Sequence, residues 1–119
     1  MINLCMTNSC EESLKAKELL DESGLLYKEI SLFNSDSMHE ALLKILSLVE
    51  GNFSSLIYAN KRRYLNQLIG SRANLTINKL INMFLLNPYL LHQPIIFDEV
   101  TLQVGFDFNN LQSLVSKYS

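Results

Sequence analysis

The beginning of the chain limits the fold most. Ile2 to Met6 is apolar apart from Asn3 and alternates too little for a surface strand, so it reads as a short buried one, ended by Thr7-Asn8-Ser9. From Cys10 a helix runs to about Glu22, with Ala16, Leu19 and Leu20 on one face and Ser23-Gly24 as its exit. Leu25 to Leu32 then reads as a second strand, with apolar Leu26, Ile30 and Leu32. A strand, a helix and a strand in this order place the two strands parallel, because the helix carries the chain back to the end where it started. Cys10 stands at the junction of strand and helix, where unpaired N–H groups and a partial positive charge favour a thiolate. The second cysteine that a two-thiol redox site would hold three residues on is Ser13. A hydroxyl cannot form a disulfide.

Farther along, Ser37-Met38-His39-Glu40 fits a capping box that opens a helix. Met38, Ala41, Leu42, Ile45, Leu46 and Val49 then form a broad apolar stripe at helical spacing, and Gly51 follows as a stop. Between Asn52 and Leu68 helical spacing survives only in pieces, which predicts one or two short helices. Lys61-Arg62-Arg63 is the basic cluster of this segment, readable as a solvated helix face or as an anion or phosphate contact. Thr76 to Leu86 reads as a helix ended by Asn87-Pro88. Pro94 to Asp98 and Thr101 to Gly105 read as a hairpin turning at Glu99, and Asp107 to Lys117 as a closing helix with Leu111, Leu114 and Val115 inward. The order β-α-β, helices, β-β-α is an α/β fold of thioredoxin type with a mixed sheet. Its thioredoxin-like part spans about 1–34 and 88–119, and a helical insertion spans about 37–87. Pro94 stands where that fold carries a cis-proline.

A chain of 119 residues, 48% hydrophobic and 18% charged, can bury one ordinary core, which predicts a single domain over 1–119. No apolar run reaches membrane-spanning length and nothing at the N-terminus reads as an export leader, so a cytoplasmic chain without membrane contact is expected. Its two cysteines would stay thiols there, Cys5 as a core residue. A net charge of −2 argues against a self-sufficient nucleic-acid binder. His39 and His92 lie far apart without spaced ligands, so no metal and no cofactor is expected. Nothing demands a dimer, and a monomer is expected. Around Cys10, the helix N-terminus favours the thiolate by about 0.3–1 kcal/mol. Glu11 and Glu12 each oppose it by roughly 0.5–2 kcal/mol before screening. The two effects nearly cancel.

Over almost its whole length the chain resembles the arsenate reductase-like family, and within it the Spx branch. Cys10 with Lys15-Ala16, the run Asn87-Pro88-Tyr89-Leu90-Leu91-His92-Gln93-Pro94-Ile95-Ile96-Phe97-Asp98-Glu99, and Leu102-Gln103-Val104-Gly105-Phe106 carry the resemblance. Where the reductases hold an oxyanion with arginines, this chain has His92-Gln93 before the proline and Asn60 or Lys61 in the middle segment. The resemblance therefore implies that arsenate chemistry is lost and that the protein is not an enzyme. It implies instead a regulator of transcription that binds the C-terminal domain of the RNA polymerase alpha subunit, reaches promoter DNA only through polymerase, and lacks the two-cysteine switch. The partner surface so implied comprises Cys10, Ser47 and Gly51 or Asn52, with Lys61, Arg62 and Arg63 facing DNA phosphate. The alternative is a glutathione- or glutaredoxin-coupled thiol oxidoreductase, with Cys10 as nucleophile and Ser13 hydrogen-bonding its thiolate. The family's longer C-terminal tail would be short or missing, since the chain ends at Ser119.

Overall fold

The first strand, β1 (Ile2–Met6), lies inside the sheet. The computed structural model describes residues 1–70 and 74–119, in which β1 is followed by α1 (Glu11–Ser23), β2 (Tyr27–Ser31) and α2 (Ser35–Leu48). Then come α3 (Arg62–Ile69), α4 (Ile77–Leu86), β3 (Ile95–Phe97), β4 (Leu102–Val104) and α5 (Phe108–Ser116). The sheet order is β2-β1-β3-β4. β1 and β2 run parallel, with Ile2 opposite Tyr27 and Met6 opposite Ser31. β3 is antiparallel to β1, with Leu4 opposite Ile96, and turns back into β4. This is the thioredoxin-like mixed sheet the sequence predicts.

Side chains of a strand alternate between faces, and both faces of this sheet are covered. Ile2, Leu4, Met6 and Ile96 pack against Ala16 and Leu20 of α1 and Leu111, Leu114 and Val115 of α5. Cys5, Ile30, Ile95 and Phe97 point the other way, into a core completed by Met38, Leu42 and Ile45 of α2, Leu65 of α3, and Ile81 and Phe84 of α4. Two-sided burial is why β1, apart from half-buried Asn3, is apolar throughout. The helical segment therefore forms the second layer on one face of the sheet, while α1 and α5 form the first layer on the other.

Several boundaries differ from the sequence reading for identifiable reasons. α2 begins before Ser37: Asn34 is its cap, and its side-chain oxygen accepts from the Ser37 N–H at 3.2 Å. Ser37 and Glu40 are thus inside the helix, and the expected capping box does not form. Cys10 is the cap residue of α1 rather than part of its first turn. β2 starts only at Tyr27, and Leu26, expected inside the strand, precedes it and is 85% exposed. The irregular middle resolves into two single 3₁₀ turns, Phe53–Leu56 and Ala59–Lys61, ahead of α3. Thr76 and Asp107 cap α4 and α5 by accepting from the N–H groups of Lys79 and Asn110. Among the described residues no helix is long and apolar enough to cross a membrane.

Candidate functional site

Three chain segments meet at Cys10. The first is the end of β1, where Thr7 and Ser9 precede the cap of α1; Cys10 is half-buried, and its carbonyl accepts from the Leu14 N–H at 3.1 Å. The second is the loop into β3, where the Gln93–Pro94 peptide is cis. The third is the stretch from Leu56 to Tyr58, which lies antiparallel to Leu90–His92: the Tyr58 N–H donates to the Leu90 carbonyl at 3.3 Å, and the His92 N–H to the Leu56 carbonyl at 2.7 Å. That pairing brings an aromatic residue of the helical segment to the thiol.

Gln93 ties the first two segments together. It is 5% exposed, and its side-chain oxygen accepts from the Thr7 N–H at 2.6 Å, the Thr7 hydroxyl at 3.0 Å and the Ser13 hydroxyl at 3.1 Å. Ser13 is fully buried, and its recorded hydrogen bond goes to Gln93, not to the Cys10 sulfur. The Ser13 hydroxyl, which the alternative reading directs at a Cys10 thiolate, is here directed at Gln93. The thiol's neighbour is instead Tyr58, whose phenol lies close enough to Cys10 and the Gln93 backbone to interact with both. Burial, then the charge a Cys10 thiolate would carry, pushes the Tyr58 phenol above its ordinary range. It therefore stays protonated and presents a donor.

Behind Tyr58 the His92 ring stacks at 4.4 Å between centroids and 28° between planes. His92 in turn lies against Gly105, where a Cβ would sit 3.0 Å from its Nε2 and φ is +79°, so a side chain there would be both crowded and strained. Lys61 places its ammonium 5.3 Å from the Tyr58 ring centroid and donates to the Tyr89 carbonyl at 2.9 Å. Asn60 is exposed. No guanidinium joins this cluster among the described residues: Arg62 donates from Nε to the Ser54 carbonyl at 3.1 Å, and Arg63 is exposed. Nor do the described residues group three His, Cys, Asp or Glu that could hold a metal.

The remaining expected positions gather elsewhere. Ser47, Gly51 and Asn52 are exposed around the C-terminal end of α2. Ser47 donates to the Lys44 carbonyl, and the Asn52 N–H to the Val49 carbonyl, so their bonds return to their own segment. Gly51 has φ +87°, and a Cβ built there would meet nothing within 4 Å. The other cysteine, Cys5, is fully buried in the core beneath the helical layer, and burial pushes its thiol up to about 12. Sequence reasoning found Cys10 but missed Tyr58, an isolated tyrosine in an irregular stretch. Gln93 carried one usable signal, its place before the proline.

The chain matches the model of the ArsC family over residues 5–114. It is similar to proteins named global transcriptional regulator Spx. For that of Streptococcus mutans the identity is 28%, over 98% of this chain and 85% of the relative. For that of Listeria monocytogenes it is 27%, over 98% and 88%. The fold is also similar to that of a Staphylococcus aureus protein solved by NMR, with a TM-score of 0.68 at 17% identity over 95% of this chain and 97% of the other. An arsenate reductase from Vibrio cholerae gives a TM-score of 0.66 at 14% identity, over 97% and 95%.

Proposed function

Because this chain belongs to the ArsC family, and its similarity to proteins named Spx extends over nearly its full length, we propose that it is a Spx-like transcriptional regulator that binds the C-terminal domain of the RNA polymerase alpha subunit. That full-length similarity carries the reading. The end of α2 supports it sterically. Ser47 and Asn52 are exposed and the space above Gly51 is open, so a partner can approach the backbone there. The same reading makes Cys10 part of the contact without making it a switch. Ser13 offers a hydroxyl already engaged by Gln93, and Cys5 is enclosed in the core. An intramolecular disulfide also needs Cα atoms within about 7 Å and facing Cβ vectors. Promoter DNA is then reached through polymerase, with Arg63 the most available cation of the basic cluster.

The arrangement around Cys10 favours this over thiol-reductase or arsenate chemistry. A doubly charged oxyanion calls for planar, charge-assisted donors, and the cluster offers a phenol and an amide instead. The test is an NMR titration of the labelled chain with the isolated alpha C-terminal domain, with and without reductant, and repeated with Cys10→Ser. Shifts centred on Ser47 to Asn52, unchanged by reductant, are expected. Absence of shifts at concentrations on the order of 100 μM, where a micromolar complex is saturated, would sink the proposal.

A further inference from the structure

Residues 51–97 hold five cationic residues and no Asp or Glu, whereas all twelve acids of the chain fall in 1–50 and 98–119, beside the other five cations. Within this stretch of sequence, a groove of about 400 Å³ runs between the start of α3 and the turn after α4. Its apolar walls are open to solvent: Leu86 is 82% exposed, Tyr89 57% and Tyr64 49%. Phe33 meets Tyr89 edge-on at 5.4 Å and prolongs the apolar surface. The polar lining consists of Asn60, Asn87 and Lys61, whose ammonium is held in place on the Tyr89 carbonyl.

An apolar cleft rimmed by amides and a fixed cation, with no carboxylate among its described lining residues, complements one kind of occupant. A large apolar side chain would fill the cleft, and a neighbouring carboxylate would meet Lys61. Single-stranded nucleic acid fits less well. A row of phosphates needs several free cations along its path, but among the described residues Lys61 is the one cation of the lining, and Arg62 is tied to Ser54. We propose that this groove docks an acidic protein segment through a large apolar side chain placed beside an Asp or Glu. The groove shares no lining residue with the Ser47–Asn52 surface, so the proposal stands apart from polymerase binding.

The experiment is selection of a displayed library of random short peptides on the full chain. NMR mapping of the enriched peptides follows, with an oligothymidylate titrated in parallel. Enriched peptides carrying Phe, Trp or Leu beside Asp or Glu are expected, with shifts at Tyr64, Leu86 and Tyr89. Leu86→Glu, at an exposed position, should weaken their binding at least about tenfold, the effect of losing a central contact, and Tyr89→Ala should weaken it comparably. Peptides without acids, shifts elsewhere, indifference to both variants, failure of any peptide to enrich, or tighter binding of the oligothymidylate at these residues would each overturn the proposal.

Discussion

A single oxygen, Oε1 of Gln93, is the acceptor on which the ends of β1, α1 and the cis-proline loop converge. An arginine, which the resemblance places at this position, has five donors and no acceptor. The exchange that removes an anion-holding group therefore also supplies the acceptor that fixes Ser13. Gln93→Leu should leave the Thr7 and Ser13 donors without that partner and lower stability by about 1–3 kcal/mol, seen as a lower midpoint in urea denaturation. An unchanged midpoint would mean that other acceptors take over. This site was only half legible in the sequence. Cys10 and Ser13 announce themselves by their spacing, but the acceptor lies 80 residues away from Ser13. Tyr58 reaches the thiol only because two irregular segments pair, a tertiary fact with no local periodicity to betray it.

At the level of elements, local chemistry was read well where one residue type sets the outcome and less well where several compete. The stripe of α2 and the stops at Gly51 and Pro88 follow from helical spacing and backbone preference. The start of α2 did not, because Asn34 and Ser37 are both good caps and Asn34 comes first after β2. The closing helix adds a clasp that no pattern showed. Asp98, between β3 and β4, accepts from the Val100 and Thr101 N–H groups and from Lys117 and Tyr118 just beyond α5. Burial alone would raise the Asp98 carboxyl, but bonds from Tyr118, Val100, Thr101 and Lys117 outweigh it and hold it well below the carboxylate range. Its proton is bound more readily in the unfolded chain, so its contribution is present above about pH 4 and is lost as pH falls below that. Urea midpoints measured from pH 7 to pH 2 should fall less steeply in Asp98→Asn than in the parent, and the variant should be less stable at pH 7. Parallel acid limbs would contradict the clasp.

For the whole molecule, the sheet buried on both faces makes Cys5 a reporter of global unfolding. Its thiolate is disfavoured by burial in the core that joins the sheet to the helical layer. A disulfide reagent at mildly alkaline pH should titrate one thiol, Cys10, in the native protein, and reach the second only as denaturant unfolds the chain. Two rapidly reacting thiols in native buffer would show that this core opens locally. The order of elements was legible in the sequence, but how the layers are fastened was not, since that rests on contacts such as Tyr58 against His92. Those two rings belong to different layers of the chain, one to the helical segment and one to the loop leading into β3. Each therefore sits in the other's ring current. The imidazole protons of His92 should resonate upfield of those of His39, the other histidine, which has no aromatic partner among the described residues. One proton line then records whether the two layers are fastened, without any label being added to the protein.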